Sequence, residues 1–237
     1  MNPLLIKTNI LDYDHHSVQK LIEDRGWKLL TVEQRKKEIY KFVRDEIKFG
    51  YNKNDSIPAS EVLQDGYGQC NTKGTLLMAL FRALGIPCRF HGFYIDKIMQ
   101  KGAVTGVFYL IAPRRIIHSW VEIMDHENLI VLEGFILDKI YISSLLKRFD
   151  SGQKKLCGFG ASTSDLPSKI KDWDGMSDTY IQNESITEDL GVYNSPDEFY
   201  QKHGTNLKGI KKWIFENYVR CKMNKNVEKI RRSNTFS

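Results

Sequence analysis

DGYGQCNTKGTLLMALFRALGIP, residues 65–87, is the stretch of sequence that decides the fold. It places a glycine-containing loop before Cys70 and an apolar segment after it, and the segment ends at Gly85 and Pro87, as helices often do. Five apolar residues of this segment are spaced three or four positions apart: Leu76, Leu77, Leu80, Phe81 and Leu84. This spacing predicts a helix that packs inside the domain.

Cys70 falls in the first turn of the predicted helix. Unpaired N–H groups and the positive end of the helix dipole favour an anion there, and such positions make a thiolate available. A lone cysteine is more often a small buried hydrophobe. Here the two preceding glycines let the backbone approach a ligand closely, so Cys70 is a candidate nucleophile.

Composition places the chain among soluble globular proteins. Its 237 residues are 41% hydrophobic and 27% charged, which is ordinary for a protein with a substantial core. The net charge of +6 comes from 35 basic and 29 acidic residues, with much of the excess near the C-terminus. Because the sequence shows no nucleic-acid-binding motif, we predict no nucleic-acid partner.

The termini and the cysteines bear on the compartment. Residues 1–7 lack the charge and apolar length of a signal peptide, and no apolar run is long enough to span a membrane. The cysteines at 70, 88, 157 and 221 form neither a C-x-x-C pair nor a dense disulfide pattern. We therefore predict a cytoplasmic protein with free thiols, no membrane partner, no cofactor and no metal site, with the pair His15-His16 contributing a helix cap.

The coarse pattern predicts helices first and strands afterwards. Helices are expected from Ser17 and from the capping box Thr31–Gln34, followed by a helical turn at 59–63. After the central helix, period-two alternation predicts consecutive antiparallel strands: Cys88–Ile95, Val104–Ile111, Ile116–Ile123 and Leu129–Glu133. A hairpin turn is predicted at 125–128. The fold class is therefore α+β.

The pattern beyond residue 138 predicts a further short helix at 140–149 and a long loop at 150–168. Ser185–Glu188 and Ser195–Glu198 both have the pattern of a helix start. A C-terminal helix over 206–230 is expected to pack the face carrying Leu207, Ile210, Trp213, Ile214, Tyr218 and Val219 on the core, before a basic tail. We expect one domain at 1–150, with its core at 38–138, and an extension at 151–237 packed on the same domain.

Residues 59–138 resemble the transglutaminase-like core, a branch of the papain-like cysteine-enzyme architecture. Four blocks carry the resemblance: Ala59–Leu63 with Gly66–Cys70, Leu80–Arg89 with its Gly-Ile-Pro, His118–Ile123 (HSWVEI), and Leu129–Glu133 (LIVLE). The resemblance implies a nucleophile helix packed on an antiparallel sheet, with helical additions at both ends of the chain.

The resemblance also implies a catalytic triad. Cys70 corresponds to the nucleophile, and His118 to the residue that acts as base and later as acid. Glu133 stands where the family usually has aspartate, so the longer carboxylate is a departure from the pattern. Asp138 is the competing acid, and we favour Glu133 because of the hairpin register.

The second donor of an oxyanion hole stays open at this stage. The first donor would be the backbone N–H of Cys70, and the family often takes the second from an upstream aromatic or amide side chain. The candidates are Tyr51, Asn52 and Gln69.

The implied activity is acyl transfer through a thioester on a peptide, protein or small amide substrate. We expect hydrolysis (peptidase or amidase) rather than crosslinking, because of the breadth of the family. The alternative is a non-catalytic binding module that retains the fold. A thiol redox protein or a metal protein would need a second close cysteine, and a helix of about 22 Å separates Cys70 from Cys88.

Overall fold

The structure is a computed structural model that describes residues 2–125, 128–149, 154–207 and 209–232. Residues 126 and 127, at the centre of the predicted hairpin turn, lie outside the described residues. The end of the predicted basic tail, residues 233–237, lies outside them as well.

The chain begins with helices that precede the cysteine loop. The elements are α1 (His16–Asp24), α2 (Val32–Asp45), β1 (Lys48–Phe49), α3 (Ala59–Asp65) and β2 (Tyr67–Gly68). The predicted capping box starts α2: the Thr31 side chain accepts from the backbone N–H of Gln34, whose side chain accepts in return. His15 caps α1 by accepting from the N–H of Ser17, as expected for the His15-His16 pair.

The loop before the cysteine is held by a short parallel pair, in which Lys48 lies opposite Tyr67 and Phe49 opposite Gly68. Gly66, at φ +68°, ends α3, since few other residues adopt this conformation. A Cβ at Gly68 would lie 2.7 Å from the Thr72 hydroxyl oxygen, so a glycine is required there. The central helix α4 (Cys70–Ala83) follows directly.

Burial confirms that α4 is the central helix of the domain. Every residue from Cys70 to Arg82 is buried, so the helix is enclosed on all sides and not only along the predicted apolar stripe. Gly85, at φ +77°, ends the helix, and the N–H of Ile86 donates to the carbonyl of Phe81.

The remaining elements follow in chain order: β3 (Cys88–Asp96), α5 (Gly106–Ile111), β4 (Arg115–Asp125), β5 (Asn128–Leu132), α6 (Lys139–Arg148), β6 (Leu156–Gly158), β7 (Ala161–Thr163), β8 (Ile186–Tyr193), α7 (Pro196–His203), α8 (Gly209–Ile214) and α9 (Arg220–Arg232). Residues 215–219 form a π-helical turn between α8 and α9.

The main sheet has the strand order β5-β4-β3-β8, and all neighbours are antiparallel. The helix α4 packs against β4, because Gly74 brings the helix close to Val121 and Ser119. A buried helix on an antiparallel sheet confirms the predicted α+β class.

The structure corrects three predicted elements. Residues 104–111 were predicted as a strand, but the apolar run Gly106–Ile111 forms α5. Ser185–Glu188 was predicted as a helix start, but Ile186–Tyr193 is the strand β8, which pairs with β3. Residues 150–153 of the predicted loop at 150–168 lie outside the described residues, and the rest of it contains the antiparallel pair β6–β7 and the start of a 3₁₀ helix at Leu166–Ile170.

The C-terminal helix also differs from the prediction. Ile210, Trp213 and Tyr218 were expected to pack on the core, but they are 79%, 56% and 59% exposed. The face of α9 that does pack inward carries Met223, Val227 and Ile230.

Candidate active site

Cys70 is the first residue of α4 and is 8% exposed. As a first-turn residue, its backbone N–H has no acceptor within the helix. Its thiol is free, as are those of Cys88, Cys157 and Cys221. The position gives Cys70 the helix N-terminus predicted from the sequence.

Asn71, the next residue, fastens the start of α4 to strand β4. Its side-chain N–H₂ donates to the Ile117 carbonyl at 3.2 Å, and its side-chain oxygen accepts from the Ser119 hydroxyl at 2.9 Å. Ile117 and Ser119 flank His118, so the two contacts fix Cys70 relative to His118. Asn71 and Ser119 are each 1% exposed.

His118 and Glu133 form a fully buried pair. Nε2 of His118 lies 2.7 Å from Oε1 of Glu133, and both side chains are 0% exposed. The other ring nitrogen, Nδ1, has no hydrogen-bond partner among the described residues. The ring is therefore oriented through one nitrogen and has the other available for a reacting group.

The second oxygen of Glu133 is held by three consecutive backbone N–H groups. Oε2 accepts from Ile181 at 2.7 Å, from Gln182 at 2.9 Å and from Asn183 at 3.1 Å. Rotation of the side chain would break all three of these hydrogen bonds. The carboxylate therefore has a fixed orientation, with one oxygen left for His118.

The surroundings of His118 favour the imidazolium. Burial alone would lower its pKa, but the nearby charge of Cys70, followed by the interactions with Glu133, raises the pKa to about 10. A pKa of about 10 keeps the His118 ring protonated at neutral pH.

Asp138, the competing acid, lies in a different network. Its side chain caps α6 through the N–H of Tyr141, accepts from the N–H of Phe49 at 2.9 Å and pairs with Arg231 at 2.7 Å. These contacts join β1, α6 and α9. Glu133 is thus the carboxylate that the structure brings to His118, and Asp138 is not.

Tyr51 lies in the wall of the cavity that contains Cys70. Burial raises the pKa of its hydroxyl, and the charge of Cys70 raises it further, so the hydroxyl keeps its proton. Asn224 of α9 holds the Tyr51 backbone: its side chain accepts from the Tyr51 N–H at 2.7 Å and donates to the carbonyl at 3.0 Å. Tyr51 can therefore donate a hydrogen bond into the site.

The amide groups of the other two oxyanion candidates are already engaged. The side-chain N–H₂ of Asn52 donates to the Asp65 carboxylate and to the Tyr67 carbonyl. That of Gln69 donates to Asp55 at 3.1 Å, while its oxygen accepts from the N–H of Asn52. Both residues shape the cysteine loop.

A cavity of about 560 Å³ adjoins Cys70. Its wall near Cys70 is polar, because Asp55 accepts from the side chains of Gln69, Asn71 and Asn206. The rest of its wall comes mainly from apolar residues of α5 and of the C-terminal helices. A concave, mostly apolar site with a few placed polar groups is typical of a ligand-binding site.

Several residues that build the site escape sequence reasoning. The three N–H groups at 181–183 are backbone donors and leave no side-chain signal. Asn71 does leave one, as a polar residue inside an otherwise buried helix beside the cysteine. Asp55 and Asn206 are far apart in the sequence and meet only in the fold.

Among the described residues, no group of three or more His, Cys, Asp or Glu side chains is arranged to hold a metal ion. Within the same part of the chain, no helix is both long and apolar enough to cross a membrane.

Comparisons with known proteins give a family match and two similar structures. Residues 15–131 match the family model of the transglutaminase-like superfamily. A candidate cysteine protease from Cytophaga hutchinsonii is similar at 15% identity and a TM-score of 0.47, over 83% of this chain and 47% of that one. Red sea bream transglutaminase is similar at 13% identity and a TM-score of 0.33, over 93% of this chain and 40% of that one. The chain spans less than half of either protein, and no curated protein matches it.

Proposed function

Because the chain belongs to the transglutaminase-like superfamily through residues 15–131, we propose that it is a cysteine-dependent acyl-transfer enzyme with Cys70, His118 and Glu133 as its triad. The observation that carries the proposal is the His118–Glu133 pair, in which the ring is oriented through Nε2 while Nδ1 has no hydrogen-bond partner in the described part of the chain. A ring that served only the core would not need a carboxylate held by three backbone N–H groups.

The proposed reaction has two steps. The Cys70 thiolate attacks the acyl carbon, a C–S bond forms, and the bond from carbon to the leaving group breaks. His118 gives its proton to the leaving amine, while Glu133 keeps the ring oriented and stabilises its charge. In the second step, His118 takes a proton from water, the water attacks the thioester, and the acid and the free thiol are released.

The developing oxyanion needs two donors in this proposal. We assign one to the backbone N–H of Cys70 and the other to the Tyr51 hydroxyl. The assignment is supported by the position of Tyr51 in the cavity wall and by the amide groups of Asn52 and Gln69, which are already engaged.

We propose a peptide, protein or small amide as the substrate and water as the acceptor. The preference for water is supported by the range of reactions in the superfamily and not by a particular residue of this chain. Addition of a large excess of putrescine should leave the carboxylic acid as the main product; an amide as the main product would identify a crosslinking enzyme.

The experiment that tests the triad is the acylation of the protein by p-nitrophenyl acetate, followed by mass spectrometry. Acetyl groups are expected on Cys70 within the first turnover, and they should be lost on incubation in water. Cys70→Ser should abolish the rapid release of nitrophenol, while Cys221→Ser, at an exposed free thiol, should leave it unchanged. Labelling of Cys221 without labelling of Cys70 would contradict the proposal.

A further inference from the structure

The cavity beside Cys70 continues well beyond the polar groups that the chemistry requires. Its distal wall is formed by side chains of α5, the loop before it, and the C-terminal helices: Val104, Phe108, Ile111, Ile214, Val219 and Met223. The volume of about 560 Å³ lies in the range of sites that enclose most of a ligand. This distal part of the cavity therefore favours an apolar group of the substrate.

Two residues of the cavity lining are exposed apolar side chains. Ile111 of α5 is 66% exposed, and Ile210 of α8 is 79% exposed. The apolar wall of the cavity therefore extends to the protein surface at both residues. Exposed apolar patches of this kind mark sites at which an apolar ligand or partner binds.

The walls favour an alkyl chain over an extended peptide. A bound peptide commonly pairs with the edge of a sheet, and the edge strands of the main sheet are β5 and β8. Among the described residues, neither strand contributes to the cavity lining, and the strands of the two short sheets contribute only Phe49 of β1. The peptide groups of a chain laid against the aliphatic wall would lose their hydrogen bonds to water without replacement, whereas an alkyl chain has none to lose.

We infer that the cavity binds a long unbranched acyl chain, with the acyl carbon at Cys70 and the chain running between α5 and the C-terminal helices. The substrates are then fatty acyl amides or esters, which the enzyme cleaves to a fatty acid and an amine or alcohol. The inference rests on the proposed function for the reaction, but the binding of the chain itself does not depend on the thiol.

The binding test uses Cys70→Ala and isothermal titration calorimetry with decanoate and butanoate. Burial of one methylene group strengthens binding by up to about fourfold, so decanoate should bind at least about tenfold more tightly than butanoate. Ile111→Asp and Ile210→Asp, made in the same background, should each weaken decanoate binding by about tenfold, because a carboxylate then borders the chain. Both positions are exposed, so the fold should tolerate the change.

Leu29→Asp is the matched control. Leu29 is 91% exposed and lies outside the cavity lining, so the substitution should leave decanoate binding unchanged. The inference is wrong if decanoate binds no more tightly than butanoate. It is also wrong if decanoate binding is insensitive to Ile111→Asp and Ile210→Asp.

A second measurement separates this inference from the proposed function. The wild-type protein should react with p-nitrophenyl decanoate at a kcat/KM at least about tenfold above that for the butanoate ester. If both esters acylate Cys70 equally fast and decanoate binds no better than butanoate, the proposed reaction is supported and the acyl-chain binding site is refuted. If neither ester acylates Cys70 but decanoate binds as expected, the acyl-chain binding site is supported and the proposed reaction is refuted.

Discussion

Replacement of Glu133 by glutamine should nearly abolish the acylation of Cys70 while the protein remains folded. Oε2 of Glu133 accepts from three backbone N–H groups at residues 181–183, and Oε1 lies 2.7 Å from Nε2 of His118. In Glu133→Gln, the amide oxygen must face the three donors, because an N–H₂ group there would oppose them. The amide N–H₂ then faces His118 and forces Nε2 to become an acceptor.

The stability cost of this change should be smaller than that of removing the side chain. The glutamine oxygen keeps the three backbone hydrogen bonds, and only the charge-assisted part of each is lost, about 1 kcal/mol per bond and therefore about 3 kcal/mol in total. Glu133→Ala, in contrast, leaves three N–H groups without an acceptor. At about 1 to 3 kcal/mol for each unsatisfied donor, it should lower the free energy of unfolding by about 3 to 9 kcal/mol.

The loss of activity should be large in Glu133→Gln. With Nε2 as an acceptor, the neutral ring carries its proton on Nδ1 and cannot take one from the Cys70 thiol. A comparable change of tautomer in serine-protease triads lowers kcat on the order of 10⁴-fold. We therefore expect Glu133→Gln to lose about 10³- to 10⁴-fold in the rate of Cys70 acylation.

Urea unfolding and nitrophenol release, measured on the same preparations, check both halves of this prediction. The expected outcome is a folded Glu133→Gln protein with almost no acylation and a strongly destabilised Glu133→Ala protein. Equal destabilisation of the two variants would refute the reasoning about the three donors. A Glu133→Gln protein that retains near-wild-type acylation would refute the role of the carboxylate.

Three further changes test other parts of the account. Asp138→Asn should lower the free energy of unfolding, measured in urea, by about 3 to 5 kcal/mol, because Arg231 loses its buried partner. The acylation rate of the folded fraction should not change. A stable variant without acylation activity would instead identify Asp138 as the acid of the triad. Tyr51→Phe should slow acylation by about 10²-fold through loss of an oxyanion donor, whereas Tyr218→Phe, at an exposed position, should leave the acylation rate unchanged. Equal acylation rates for the two variants would show that Tyr51 is not an oxyanion donor. Burial lowers the pKa of Lys73 to about 7, so the folded state binds fewer protons than the unfolded state between about pH 7 and 10. Relative to Lys73→Met, the wild type should therefore gain stability in urea as the pH rises through this range, by up to about 1.4 kcal/mol per pH unit. A stability difference between the two proteins that does not change with pH would contradict a buried neutral lysine.

The sequence was sufficient to predict the central helix and the neighbouring strands. The position of Cys70 followed from the loop glycines and the apolar spacing after it, and the strands at 88–95 and 116–123 followed from their period-two alternation. Both signals are local, because a buried helix and a half-buried strand each have their own period.

The elements that were mispredicted depend on contacts distant in the sequence. The run Gly106–Ile111 is short and apolar, and such a run does not distinguish a helix from a strand. Ser185–Glu188 has the residues of a capping box, but pairing with β3 draws Ile186–Tyr193 into the sheet. Tertiary pairing outweighs a local capping preference.

The carboxylate that pairs with His118 also depends on contacts distant in the sequence. Sequence register favoured Glu133 over Asp138, but the three backbone donors that hold Glu133 come from nearly fifty residues further along the chain. Backbone groups carry no residue-specific signal. Only the folded chain shows which carboxylate faces His118.

The most direct test of the central claim is the pH dependence of iodoacetamide alkylation at Cys70, in the wild type and in His118→Ala. Cys221 is an exposed free thiol in the same molecule and serves as the internal reference. The account predicts that, at about pH 6.5, well below the ordinary thiol pKa of about 8.5, Cys70 reacts faster than Cys221 although it is only 8% exposed, and that His118→Ala removes this advantage. A slow reaction at Cys70 with the same pH profile in both proteins would contradict the account and favour a binding module that retains the fold.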